Sequence, residues 1–456
     1  MHRIGGWATG IFALLLTFPV LANNWPQFRG PQSNGVVRGD DLPVVWDSDK
    51  NIAWKVAIPG RGWSAPVVWG DNVFVTTAVL EKKLPGRPKT DKSKKGKGYT
   101  KTPPNAIYRW EVHCLDLETG NLRWKRVAKK GRPRMNVHKS NTYATETPVT
   151  DGKRVYAYFG MTGVFCYNLD GKLLWEKDLG AHPMWNGWGT GSSPVLHNDL
   201  IYFQIDNEKQ SFLVALDTAT GKERWRKLRD EPSGYASPII WKHSKGTELI
   251  TVGLKARSYD PKTGNLIWEL DLNGGRASSA PVALGEVLYL GNEDRANSPF
   301  LRPGRGPGGR LVAIKAGAKG DITPAKGKTT SAGVLWTQEH AGPAMASPLV
   351  YKGYIYILER KNGLASCYEA KTGNPVYQRK RLSDSAFWAA PWAYGNRVFC
   401  LDDSGTTHVI EPGPALKFVA NNSLDEKFWT PAAMTDEYLL LRGARHLYAI
   451  KKSDEK

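Results

Sequence analysis

The sequence predicts an all-β fold: an eight-bladed β-propeller of four-stranded antiparallel blades, closed by the N-terminal strand. Three observations predict it. One phrase keeps returning, as "LETGNLRW" at 117–124, "TATGKERW" at 218–225, "PKTGNLIW" at 261–268 and "AKTGNPVY" at 370–377. A Ser, Ala or Thr followed by Pro marks a second series, at Pro66, Pro148, Pro194, Pro238, Pro281, Pro348, Pro391 and Pro431. Between these landmarks short apolar runs alternate with Gly-bearing turns, and a sustained helical period is missing.

Each unit follows one plan. After the Pro comes a short apolar strand and a turn such as "WGDN" or "TDGK". A second strand follows ("RVYAYF", "LIYFQI", "YIYILE"), then a third ("HCLDL", "LVALD"), then a Thr-Gly or Asp-Gly turn and a fourth strand carrying an aromatic. Four short strands per unit, joined by Gly turns, make a propeller blade. The Pro landmarks lie 82, 46, 44, 43, 67, 43 and 40 residues apart, and each long gap holds an insertion. One is Lys-rich, at 80–105; the other is Gly/Pro-rich, at 295–333. Aromatics follow only seven of the landmarks: Trp124, Trp175, Trp225, Trp268, Trp336, Tyr377 and Phe418. The last unit ends without its fourth strand, and "KNIAWKVAI", with Trp54, sits at the start of the chain. That strand completes the eighth blade and leaves no open sheet edge. Seven blades, with one unit degenerate, is the alternative. The Gly of each turn supplies a positive φ, and the Trp is a large apolar wedge for the space between sheets.

Residues 1–22 read as a secretory signal peptide. His2 and Arg3 precede the apolar run "IFALLLTFPVL", and a small residue, Ala22, stands at the expected cut. A retained anchor is the competing reading, although the run is short for a bilayer. The propeller domain is then 23–456, periplasmic or secreted, with no transmembrane segment after cleavage and as a monomer. The formal net charge is +20. Residues 81–102 carry nine Lys or Arg against Glu81 and Asp91, which marks a solvated loop or a contact for envelope polyanions. Only Tyr99 is interleaved there, so specific nucleic-acid binding by base stacking is not expected.

The four cysteines read as buried free thiols. Cys114, Cys166 and Cys367 hold one third-strand position, where other units have Ala215, Ser258, Ala313, Val409 and Ala449. A position that takes Cys, Ala or Ser is a small slot, and equivalent slots in different blades are too far apart for a disulfide. Cys400 lies in a second strand.

The pattern "LDxxTGxxxW" with its preceding "SP" strand resembles the repeat of the pyrroloquinoline quinone (PQQ) propellers. That resemblance covers nearly the whole mature chain and implies an eight-bladed ring. It implies two kinds of function. Quinoprotein alcohol dehydrogenases bind PQQ and calcium at the mouth of the ring; BamB-type outer-membrane assembly factors share the repeat and bind no cofactor. "NNWPQFRGPQSNGVV" and "HKSNTYATETP" are also similar to secreted bacterial propellers known only as PQQ-like. No adjacent Cys pair and no "CxxCH" haem site is present, and the substrate-covering insertions of the large dehydrogenases are missing.

Chemistry is expected at the channel mouth, on loops entering first strands and leaving second strands. The candidates are Arg61, Trp63, His138, Asn141, Tyr143, Glu146, Trp185, Trp188, Tyr235, Arg276, Glu293, Arg360, Trp388 and Trp429. Asp206, Asn207, Asp402, Asp403, Arg442 and Arg445 follow second strands. Aromatics stack, Arg clamps carboxylates, and carboxylates accept hydroxyls, so the set suits an anionic or polyhydroxylated ligand. Plain loop polarity is the bland alternative. Asn292, Glu293 and Asp294 could offer oxygens to calcium, and His138 could act as a base near Glu146. The expectation is a binding or assembly scaffold with other envelope proteins or such a ligand as partner. A PQQ- and calcium-dependent alcohol or sugar dehydrogenase and a glycan-binding propeller are the alternatives.

Overall fold

The computed structural model describes residues 24–86, 103–295 and 306–453. The expected signal peptide, most of the Lys-rich insertion and the first part of the Gly/Pro-rich insertion lie outside the described residues. Eight sheets form the ring. Blade 1 comprises Val67–Trp69, Asn72–Lys83, Ala106–Asp116 and Leu122–Gly131. Blades 2 to 7 span 149–177, 195–229, 239–271, 282–338, 349–381 and 392–423. Blade 8 is Ala433–Met434, Leu439–Arg442 and His446–Ile450, completed on its outer edge by Ile52–Ala57. In that closure Trp54 faces Ala449 and Lys55 faces Tyr448, antiparallel. The eight blades and the N-terminal closure are as the repeats predict. Blade 4 has a fifth strand: Gly320–Asp321, from the Gly/Pro-rich insertion, pairs parallel with Trp268 and Glu269. Among the described residues the helical pieces are two single 3-10 turns, Gly160–Thr162 and Trp185–Gly187.

Burial follows position in the blade. Second and third strands are sandwiched on both faces, so Leu200–Ile205 is buried throughout. Outer strands face solvent on one side, and Glu223–Arg229 is largely polar and exposed. The core is therefore a set of clusters, each packed between neighbouring blades, such as Val149–Phe203–Val214 between blades 2 and 3.

The repeated phrase joins one blade to the next. The outer-strand Trp donates its indole N–H to a carbonyl in the turn of the following blade: Trp54 to Leu117, Trp124 to Leu169, Trp175 to Thr218, Trp225 to Pro261 and Trp336 to Ala370, at 2.7–3.2 Å. The indole lies directly on the turn glycine. A Cβ on Gly221 would stand 2.6 Å from the Trp175 ring, and φ there is +68°. Two constraints thus demand glycine, the left-handed backbone and the indole. The third-strand slot is small because it faces the Trp across the ladder: Cys114 pairs with Trp124, Cys166 with Trp175, Ala215 with Trp225 and Ala313 with Trp336. All four cysteines are buried free thiols.

One expectation needs correction. Phe418 is not the wedge of blade 7. It faces Ile410 after a bulge and is 54% exposed, while Ala420 faces Val409 in the wedge register. Trp46, from the N-terminal segment, is buried in the cluster that joins blades 7, 8 and 1. Trp268 is a buried wedge as expected, clustered with Leu288 and Val312 of blade 5, and differs from the others only in its hydrogen bond. It bonds Glu248 of its own blade at 2.8 Å, because the insertion replaces the turn it would meet in blade 5.

Four of the Ser/Thr residues that precede a landmark Pro, Thr147, Ser193, Ser237 and Ser347, also have a structural role. The backbone N–H of Ala65 donates to Thr147 Oγ1, Thr147 to Ser193 Oγ, Ser193 to Ser237 Oγ and Ala280 to Ser347 Oγ, at 2.9–3.0 Å. These bonds run from blade to blade around the channel. The following Pro opens the innermost strand, where its missing N–H is harmless.

Candidate functional site

Loops entering first strands, and loops joining second to third strands, collect at one end of the ring. Two groups of expected residues meet there. Trp185, Trp188, Tyr235 and Arg276 line an open cleft over blades 3 to 5, with Glu231, Leu254 and Arg295. The 3-10 turn Trp185–Gly187 places both indoles, and Asn186 takes φ 52° at its centre, a conformation Asn tolerates. Ser233 Oγ accepts the Trp185 backbone N–H at 2.9 Å. The Arg276 guanidinium lies 4.9 Å from the Trp188 ring centroid and donates to Glu293 Oε2 at 2.7 Å. Arg276 Nε is buried without an acceptor among the described residues. Arg295 Nη1 stands 3.9 Å from the same Glu293 oxygen, so two cations share one carboxylate.

A buried charge network extends from Glu231 of the cleft into the blades, and sequence reasoning missed it. Arg229 donates to Asp206 Oδ1 at 2.8 Å, Thr251 Oγ1 at 2.7 Å and Tyr259 Oη at 3.0 Å. Glu231 accepts the Leu254 N–H at 2.6 Å and pairs with Arg257. Burial pushes the Glu231 carboxyl above the usual range. The signal was available: "LRDEP" puts three consecutive charges, Arg229, Asp230 and Glu231, a few residues ahead of the Ser237-Pro238 step.

The second group is a ladder across blades 6, 7, 8 and 1. Trp388 and Trp429 stack at 4.2 Å, Trp429 and Trp63 at 5.0 Å, and Arg360 lies 5.5 Å over Trp388. These rings already fill one another's faces, and their outer edges remain half-buried.

The other candidates do not join a common site. Asn141 Nδ2 holds the carbonyls of Trp188 and Thr190, which fixes the Trp188 loop. Tyr143 packs edge-on to Tyr108 and Trp110 and donates to Met135 O at 3.0 Å. Arg61 is exposed and reaches Lys139 O at 3.3 Å. His138 pairs with Ser140 Oγ at 2.5 Å. Glu146 is 1% exposed. Burial pushes its pKa up to about 7 against the hydrogen bond from Thr190, and its Oε1 has no donor among the described residues. Several residues after second strands turn inward. Asp206 is paired with Arg229, Asn207 caps its own loop, and Asp402 accepts from Ser383 at 2.6 Å and pairs with His408 at 3.0 Å.

The 291–295 loop does not fit a calcium ion. Asn292 Nδ2 is bonded to Leu272 O and Gly274 O, and its Oδ1 accepts from Gly309 and Arg310. Glu293 faces Arg276, and Asp294 Oδ2 faces His340 Nδ1 at 2.6 Å. The three side chains diverge. Among the described residues no group of three or more His, Cys, Asp or Glu is gathered as a metal site. A quinone that needs such a cation beside an aromatic platform does not find one in this loop.

Residues 108–289, in blades 1 to 5, match the family model described as outer membrane protein assembly factor BamB. No curated protein matches the chain in sequence. Solved structures do match in fold. BamB from Moraxella catarrhalis aligns with TM-score 0.56 at 10% identity, over 88% of this chain and 99% of that one. Quinohemoprotein alcohol dehydrogenase from Comamonas testosteroni aligns with TM-score 0.61 at 10% identity, over 95% of this chain and 81% of that one. The quinohemoprotein alcohol dehydrogenase ADHIIG from Pseudomonas putida HK5 gives 0.55 at 10%, over 95% and 82%. The PQQ-type repeat resemblance is met by these findings, and at such identities the structural likeness is one of fold.

Proposed function

We propose that this chain is a cell-envelope propeller that works as a binding or assembly scaffold, with the channel mouth as its recognition surface. The observation that carries the reading is the Trp185–Trp188–Tyr235–Arg276 cleft. Aromatic side chains and a guanidinium gathered in one cleft suit a sugar or planar acid, which can stack and be clamped at once. The partial match to an assembly-factor family supports an envelope role. Among the described residues no helix is long and apolar enough to cross a membrane.

The dehydrogenase alternative has the fold in its favour, but the calcium-type donor set is missing from the loop expected to hold it. One titration series separates the readings. Purified protein is titrated with acidic and neutral oligosaccharides, and in parallel with PQQ plus calcium, following Trp fluorescence. Saturable binding of an acidic oligosaccharide, lost in Trp188→Ala, supports a mouth that reads a ligand. Saturable PQQ binding with dye reduction by an alcohol overturns the scaffold reading.

A further inference from the structure

Blade 1 is built differently from the rest of the ring. Its second strand, Asn72–Lys83, has 12 residues, whereas the second strands of blades 2 to 8 have 4 to 7. The surplus lies at the mouth end. Val67 faces Phe74 in blade 1 as Val149 faces Tyr156 in blade 2, where the strand stops soon after, at Tyr158. In blade 1 it runs on from Thr77 to Lys83, roughly 20 Å at the rise of an extended strand. The third and fourth strands follow it. Val79 faces Arg109 and Lys83 faces Ala106, while Arg109 faces Lys130 and Tyr108 faces Gly131. Residues 77–83, 106–111 and 127–131 thus form a three-stranded ribbon that rises beside the mouth. It is anchored there: Ala78 bridges to Arg61, Thr77 Oγ1 donates to Pro59 O at 2.6 Å, and Trp110 Nε1 donates to Tyr143 O at 3.1 Å.

The ribbon is basic. With Arg132, which follows its last strand, it carries Lys82, Lys83, Arg109, Lys129 and Lys130 against Glu81 and Glu111. Both carboxylates are already engaged. Glu81 pairs with Lys130 at 2.7 Å and Arg109 at 3.6 Å, and Glu111 with Arg109 at 2.8 Å and His113 at 2.9 Å. Lys82, Lys83, Lys129 and Arg132 are exposed and make no ion pair or hydrogen bond among the described residues. Folding alone does not call for this arrangement. Arg109 and Lys130 stand directly opposite on neighbouring strands, a placement that costs stability when both are cations. The fourth strand is also the sheet's outer edge, with no strand beyond it.

We propose that this ribbon is a docking surface for an acidic polysaccharide, laid across its three strands beside the mouth. Neighbouring strands lie about 4.8 Å apart. Each offers a cation: Lys82 or Lys83 on the second, Arg109 on the third, Lys129 or Lys130 on the fourth. A polymer with a carboxylate on every sugar meets these cations in turn. Lysine suits that task, because its compact charge on a flexible stem adjusts to a succession of anions and needs no bidentate partner. Single-stranded nucleic acid fits less well. The ribbon's rings, Tyr108 and Trp110, are turned to Tyr143 at 5.1 and 6.1 Å and leave no free platform for a base. This surface is separate from the Trp185–Arg276 cleft, and docking on it does not depend on the cleft's holding a ligand.

The test is made in a Trp188→Ala background, so that the cleft is silent and the ribbon is read alone. The probe is a polyuronate of defined length, with its methyl ester as the uncharged reference, and binding is followed by calorimetry over a salt series. Three proteins are compared: the background itself, the same chain with Lys82→Glu, Lys129→Glu and Arg132→Glu, and a control with Lys262→Glu, Lys371→Glu and Lys380→Glu. The control makes the same change in net charge on exposed lysines of blades 4 and 6. The background protein is expected to bind the polyuronate in a salt-sensitive way and to ignore the ester. The ribbon variant is expected to lose about tenfold or more in affinity, and the control less than about threefold. Should the ribbon variant fail to fold, Gln replaces Glu at the same three positions. Equal losses in ribbon variant and control overturn the proposal, because net charge alone then draws the polymer. Unchanged affinity in the ribbon variant, or equal binding of the ester, overturns it too. So does tighter binding to phosphatidylglycerol vesicles than to polyuronate, lost in the ribbon variant, which would make the surface a membrane contact.

Discussion

At the residue scale, the chemistry of this protein turns on a few buried polar groups. Glu146 is the clearest case. Its folded pKa, about 7, lies above the value of about 4.3 expected unfolded, so the native state binds a proton more tightly than the unfolded chain. Stability from this group is fully present at low pH and is lost as pH rises from the unfolded value through 7. A shift of that size corresponds to roughly 3–4 kcal/mol. Glu146→Gln is expected to flatten the dependence and to be the more stable form at pH 8, by urea denaturation at pH 5 and pH 8. The mouth is tested by Trp188→Ala, which removes the ring under Arg276. Ligand affinity is expected to fall by tenfold or more, about 1.4 kcal/mol, with little change in Tm because the side chain is half-buried. The cysteines were legible at this scale: burial pushes Cys114 and Cys367 up to about 12, so they are inert at neutral pH.

At the scale of the element, the turn glycine, the outer-strand Trp and the small third-strand residue form one unit distributed over two blades. Trp175→Ala is expected to cost about 3–5 kcal/mol, since it removes a buried ring and a hydrogen bond to the next blade. Gly221→Ala strains a positive φ and drives a methyl into the same ring, and is expected to cost at least 1 kcal/mol. Both are read from chemical denaturation. Loss of the indole with an unchanged midpoint would show that the blades are held elsewhere. Ser193→Ala tests the inner ring. It strands the Thr147 N–H, at an expected 1–3 kcal/mol. Sequence periodicity located these residues but not their partners. The "TG" turn was legible as a turn; that its glycine also seats the Trp of the preceding blade required the ring.

Across the whole molecule, closure is the decisive contact. The fourth strand of blade 8 is Ile52–Ala57, and the segment before it crosses the channel from blade 1 to blade 7. A chain begun at residue 59 loses that strand, together with Trp25, Trp46 and Trp54, and exposes the third strand of blade 8 as an open edge. The expected outcome is loss of cooperative unfolding and association into larger species, seen by light scattering after size-exclusion chromatography. A monomeric, cooperatively folding product would mean that the ring does not depend on its N-terminal closure.

The sequence by itself determined the class of the molecule: eight units, their four strands, the closing strand, the free thiols and the residues of the mouth loops. Those features are local or periodic, and a period survives in one dimension. Tertiary structure decided which mouth residues meet. Trp185, Trp188, Tyr235 and Arg276 converge because loops from blades 2 to 5 bend over one another, whereas Tyr143, Asn141 and Glu146, from the same kind of loop, turn into the packing. It also decided that Asn292, Glu293 and Asp294 point to three different partners despite being consecutive. Adjacency in sequence carries no information on side-chain direction in an irregular loop. Phe418 was misplaced for a related reason, since a single bulge shifts the register of everything after it.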